Sequence, residues 1–133
     1  MSSHAEGTFA VETTPIAADE ATSGTPIGRF ALHKQFHGDL EAKSKGEMLS
    51  AGDPANCSAG CVAIEQVTGT LNGHSGSFAL QHTGSMDASG FKLSVAVVPG
   101  SGTAQLTGFA GTMTIVQAAG KHSCSFDYTL PAA

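Results

Sequence analysis

The chain has no tryptophan, a single tyrosine and few charges; only 13% of its 133 residues are Asp, Glu, Lys or Arg. Without aromatic platforms it lacks the stacking surfaces of single-strand nucleic-acid binders. Six basic residues stand against eleven acidic ones, a net charge of −5. No basic patch offers itself to phosphates, so nucleic acid is not an expected partner. No apolar run approaches the length of a membrane-spanning helix, so no membrane is expected either. The first residues, Met1 to Gly7, have neither a basic nor a hydrophobic stretch of the signal-peptide kind, and the expected location is the cytoplasm. Three cysteines are an odd count and suit reduced thiols in that compartment. Cys57 and Cys61 would be about 13 Å apart in an extended strand, too far for a disulfide, although a turn there would bring them closer.

The recognisable metal and catalytic motifs are also missing. His33 and His37 have helical ligand spacing, but in a strand they lie too far apart to share an ion. There is no H-E-x-x-H, no C-x-x-C and no EF-hand loop, and neither metal nor cofactor is expected. No serine sits in a nucleophile elbow, and no helix follows Gly100-Ser101-Gly102 to make a phosphate loop.

What the chain does have is glycine, 17 of them, scattered along its length. Scattered glycine suits many tight turns and few helices. One short motif occurs twice. Leu71-Asn72-Gly73-His74-Ser75-Gly76-Ser77-Phe78 reads L-x-G-x-x-G-S-F, and Leu106-Thr107-Gly108-Phe109-Ala110-Gly111-Thr112-Met113 reads L-x-G-x-x-G-T-M. Each copy reads as strand, glycine turn, strand, with Gly73, Gly76, Gly108 and Gly111 in or beside the turns.

The remaining pattern fills in around these hairpins. Strands are expected at His4 to Glu12, Arg29 to Leu40, Ala42 to Ser50 and Cys61 to Leu71. Others follow at Ser77 to Thr83, Phe91 to Val98 and His122 to Leu130. Thr103 to Leu106 and Thr112 to Gln117 form the arms of the second motif. Residues 13–27 read as a connecting loop or flap and 51–60 as a loop. Sequential hairpins without a long crossover predict one all-β domain over residues 1–133, an eight-stranded antiparallel barrel. Closure removes sheet edges that so few charges would otherwise protect. A barrel of that size is filled by side chains or holds one small ligand.

The stretch Val62-Ala63-Ile64-Glu65-Gln66-Val67-Thr68-Gly69-Thr70-Leu71, continued by Gly73, Gly76-Ser77-Phe78 and Leu80-Gln81-His82, resembles a family of small uncharacterised bacterial proteins. Val98-Pro99-Gly100-Ser101-Gly102-Thr103 with Leu106 and Gly108 resembles that family's second signature. The similarity covers roughly residues 4–130. The family is grouped with allene oxide cyclase-like barrels, and its glycine turns are similar to those of plant dirigent proteins. The resemblance implies an eight-stranded barrel with an interior cavity. It implies no settled activity, and no catalytic residue of the plant cyclases has a matching motif here.

Candidate functional residues come from the strand phases. Glu65 stands in the apolar run Cys61 to Val67. Facing inward it would be a desolvated carboxylate with a raised pKa, suited to acid or base work; one step out of phase, Gln66 points in and Glu65 faces solvent or a subunit neighbour. His82 shares a face with Phe78 and Leu80, and is either a base or ligand contact, or a histidine satisfied by its neighbours. Gln81, Val95, Val97 and Tyr128 join the expected lining. Lys34 lies between Leu32 and Phe36, with its amine inside or at the rim. Glu47 either joins an interior polar cluster or faces solvent. Glu65 and His82 are the expected catalytic pair.

Two functions fit this reading. One is a cofactor-free isomerase, cyclase or lyase acting on an apolar metabolite inside the barrel. The other is a non-catalytic, lipocalin-like binding protein. Low surface charge further predicts a homodimer or homotrimer.

Overall fold

A computed structural model of the chain describes residues 2–17, 24–25, 27–53, 58–118 and 121–131. Eight antiparallel strands close into a barrel in the order of the sequence. They are β1 (Ser2–Pro15), β2 (Gly28–Gly38), β3 (Leu40–Asp53), β4 (Ser58–Leu71), β5 (His74–Asp87), β6 (Gly90–Val97), β7 (Ala110–Ala118) and β8 (Lys121–Thr129). The expected architecture is the observed one.

Most strands are longer than their apolar alternation suggested. β1 continues through Pro15, three residues into the connection expected from residue 13, and β5 begins at His74 inside the expected turn. Barrel neighbours satisfy the backbone of these polar ends, so pairing overrides weak local propensity. Residues 18–23 of the expected flap and 54–57 of the expected loop, Cys57 included, lie outside the described residues.

Alternation fixes the two faces. Along β5, Phe78, Leu80 and His82 are buried while Gln81 and Thr83 are exposed. The end of the barrel formed by the β2–β3 and β4–β5 turns, here the lower end, is densely filled. Phe36, Leu40, Leu71, Phe78, Phe109, Phe126 and Tyr128 pack there. Phe78 and Phe109 meet edge to face at 4.8 Å, and Phe109 and Phe126 at 5.7 Å.

The two copies of the glycine motif fold differently. The first is a two-residue hairpin turn, with positive φ at both Asn72 and Gly73, as a type I′ turn requires. The second is not a hairpin. The arm expected as strand at 103–106 holds a short 3-10 helix, Ala104–Leu106, and the 98–109 segment crosses the lower end as a plug. Leu106 and Phe109 are buried in the core. Side chains of this segment stand in for a neighbouring strand. Ser101 Oγ, Thr103 Oγ1 and Gln105 Oε1 accept the backbone N–H groups of Ala79, Ser77 and Ser75. Gly108 has the positive φ expected of its turn. Gly76 and Gly111 lie within β5 and β7, where a Cβ would collide with the Thr103 and Asp127 carbonyls.

The upper half of the interior is looser. Met48, Cys61, Met86 and Ile115 point inward yet are only half-buried, and inward-phase Leu93 is 36% exposed. Here the wall itself parts. β6 and β7 pair only at Val95↔Met113 and Ala96↔Thr112, whereas β3 and β4 pair from Leu40↔Leu71 to Asp53↔Ser58.

Candidate functional site

Four adjacent strands each bury one polar side chain on the inner face. β2 gives Lys34, β3 Ser44, β4 Glu65 and β5 His82, and all four are buried. The neighbours along each strand are apolar or small: Leu32 and Phe36, Ala42 and Gly46, Ala63 and Val67, Leu80 and Gly84. The polar group therefore sits as one layer between the packed lower core and the looser upper half.

Gly46 makes the layer close. It is the register partner of Glu65, and a Cβ there would collide with the backbone of Ile64 and Glu65. Glycine lets β3 press against β4 where the carboxylate projects.

Glu65 is the hub. Its Oε2 lies 2.8 Å from Lys34 Nζ and 2.9 Å from His82 Nε2. The Glu65 side chain is fully buried, while those of Lys34 and His82 keep 7% and 9% exposure. Both contacts are ion-pair close without the angular geometry of aligned hydrogen bonds. Ser44 Oγ, both Glu65 oxygens and His82 Nε2 are thus sealed from solvent without a well-aligned partner. Such orphans are rare in folded proteins and mark strain or function. Lys34 Nζ also lies 5.0 Å from the centre of the Phe9 ring, a cation–π contact.

The electrostatics reverse one expectation. Burial is the largest influence on Glu65 and pushes its pKa up, as a desolvated carboxylate requires. The hydrogen-bonding reach of His82 and the charge of Lys34 together outweigh burial and hold the carboxyl below the ordinary glutamate value. Glu65 is therefore ionised near neutrality. It is an anchor for two nitrogens rather than a stored acid. Across the interior, burial pushes the Cys124 thiol up to about 11, with Lys34 lowering and Glu65 raising it. Cys124 and Cys61 are both free thiols.

Above the layer, β3, β4 and β5 line an open pocket of about 180 Å³, with Met48, Ser50, Ala59, Cys61, Gly84 and Met86 in its wall. A cavity of about 150 Å³ accepts a benzene-sized guest. A larger groove, about 880 Å³, lies on the outer wall of β2–β5, among Leu49, Val62 and Ile64.

The structure brings Lys34, Glu65 and His82 together, with Phe78, Leu80, Val95 and Val97 in the core around them. Glu65, not Gln66, is the inward residue. Glu47 and Gln81 do not join this site. Both are exposed on the outer wall, and Glu47 Oε1 accepts from Arg29 Nε at 2.7 Å. Their strands place Met48 and His82 inward, and adjacent residues must face opposite ways. Tyr128 is buried below the site, where its hydroxyl accepts from Asn72 Nδ2 at 2.8 Å and ties β8 to the β4–β5 turn. Ser44 and Gly46 were not singled out by the sequence. Ser44 is neutral and blends with its strand. Gly46 carries a signal, since it interrupts a strand beside a lysine-rich outer face.

Comparison with known proteins agrees with this architecture. The family model described as "Protein of unknown function (DUF3224)" matches residues 5–128. A crystal structure of a protein of unknown function from the same family, from Shewanella oneidensis MR-1, is similar at 46% identity. The alignment covers 100% of both chains, with a TM-score of 0.90. Among curated proteins none matches the chain.

Proposed function

Since the chain belongs to the DUF3224 family, whose function is unknown, its activity has to be argued from the barrel itself, and we propose that it handles a small apolar molecule in the upper half of its interior by cofactor-free proton transfer. The observation that carries this reading is the buried Glu65 carboxylate holding Lys34 and His82 on one oxygen beneath an apolar cavity. A purely structural interior has little use for three ionisable groups, because a buried ion pair rarely stabilises a fold more than apolar residues of the same volume. An ionised Glu65 facing Nε2 keeps a proton on that nitrogen. In the tautomer that is protonated there, Nδ1 carries the lone pair of a general base. The reaction class is isomerisation, cyclisation or elimination, as the likeness to allene oxide cyclase-like barrels also supports.

A non-catalytic, lipocalin-like role is the second reading. It is favoured by the cavity lining, in which Met48, Ala59, Cys61 and Met86 offer shape and few polar contacts. The outer wall supports a further proposal, association with a second copy of the chain. Leu49, Val62 and Ile64 are exposed beside one another in register, with Arg29 and Glu47 supplying both charges at one margin.

The interior reading is tested by titrating small aromatic probes, toluene first, into protein with labelled methionine, leucine and isoleucine methyls. The expected result is saturable shifts at Met48 and Met86, with the outer-wall Leu49 and Ile64 unmoved. Shifts confined to the outer wall, or none, would overturn it.

A further inference from the structure

We propose that the upper pocket is a site for one soft monovalent metal ion, copper(I), with Cys61 supplying a thiolate and Met48 and Met86 two thioethers. Three neighbouring strands each bring one sulfur-bearing residue to the wall of that pocket. The register sets their spacing. Cys61 pairs with Ser50 on β3 and with Gly84 on β5. Met48 lies two residues from Ser50, and Met86 two residues from Gly84, so each methionine is a same-face diagonal neighbour of Cys61. One sits a tier below the thiol and the other a tier above it. Diagonal neighbours on one face remain within reach of long side chains.

The residues between these three are small. Met48 pairs with Ala63 and Met86 with Ala59, so no bulky partner on β4 separates either methionine from the cysteine. A Cβ on Gly84 would lie 3.1 Å from Cys61 Sγ, so glycine keeps space open beside the sulfur. Packing does not account for the set. Met113 belongs to the hydrophobic core, whereas Met48, Cys61 and Met86 lie outside it. All three are half-buried, which gives an ion a way in from solvent.

Thioethers and thiolates are soft donors and select copper(I) over hard ions. Charge makes the same choice. The thioethers are neutral and the thiolate carries one negative charge, so a monovalent ion leaves the pocket uncharged. A divalent ion would leave net positive charge among apolar walls, which is costly. Zinc takes nitrogen, thiolate or carboxylate ligands, and among the described residues no group of His, Cys, Asp or Glu could hold a metal. Binding releases one proton, that of the Cys61 thiol, and the ion enters and leaves as copper(I). Lys34, Glu65 and His82 supply no ligand, so this site goes beyond the proton-transfer reading and stands apart from it.

Anaerobic titration with copper(I) held by bicinchoninate tests this. The colour of the chelate is one readout and labelled methionine methyls are the other. The expected result is transfer of a single equivalent, with the Met48 and Met86 signals moving together and Met113 unmoved. Cys61→Ser should abolish the transfer. Met48→Leu/Met86→Leu, which roughly conserves side-chain volume, should keep the circular dichroism spectrum and leave the copper on the chelator. Cys57→Ser and Cys124→Ala should take the ion as the wild type does. Full transfer to the double methionine variant would overturn the inference, because a thiol alone would then suffice. So would loss of transfer in Cys57→Ser, or displacement of the bound ion by zinc(II). Copper left on the chelator by the wild type would also overturn it, and toluene shifts at Met48 and Met86 in that sample would leave the small-molecule reading standing.

Discussion

Moving a carboxylate out of water costs several kcal/mol, and Glu65 offsets that cost with two partners on one oxygen. The consequence is a defined pH dependence. A carboxyl whose folded pKa lies below its unfolded value contributes stability above the unfolded pKa, and that contribution is lost as pH falls through the folded value. Melting temperature should therefore drop as pH falls below the ordinary glutamate range, and the Lys34→Met/Glu65→Gln chain should show a flatter profile. Lys34→Met by itself should destabilise by about 3–5 kcal/mol in urea titration, because an unpaired buried charge remains. The pairing was legible in part. Lys34 between Leu32 and Phe36, and Glu65 between Ala63 and Val67, are opposite charges in the apolar phase of their strands. Their meeting, and with it the direction of the Glu65 shift, depends on β2 and β5 flanking β3 and β4 around a curved wall. Strand-by-strand reading has no access to that distance.

At the level of strands, Gly46 is the residue on which the site's geometry hangs. Gly46→Ala forces a methyl into the backbone of Ile64 and Glu65. Overpacking of this kind costs about 1–3 kcal/mol. The expected result is a lower urea midpoint together with movement of the His82 ring resonances, since β4 must shift with Glu65. An unchanged His82 spectrum would show that β3 yields instead. The strands were legible because apolar and polar residues alternate on a two-sided wall. The second glycine motif misled for a physical reason. It repeats the glycines of the first copy, but its preceding segment carries Ser101, Thr103 and Gln105, whose side-chain oxygens replace a strand's carbonyls. Two like glycine patterns thus sit in unlike hydrogen-bonding surroundings.

At the scale of the molecule, the exposed Leu49, Val62 and Ile64 stripe is where two copies would meet. Ile64→Lys should shift the sedimentation coefficient of an associated wild type to that of a single chain, with the circular dichroism spectrum unchanged. A wild type that sediments as a single chain at high concentration would remove that proposal. Closure itself was legible from hairpins in series. The opening between β6 and β7 was not, because both segments read as ordinary strands and only their mutual divergence exposes Leu93.

The seam between β1 and β8 has a consequence in time. β1 pairs with β2 along one edge and with β8 along the other, in register from Ser2↔Thr129 to Phe9↔His122. On the ribosome β1 emerges first and β8 last. Until the final strand is released, one edge of β1 waits with its backbone unsatisfied, open to whatever other extended chain is near. The first strand made is the last to be completed, so the nascent chain is most exposed to wrong partners during the synthesis of everything in between.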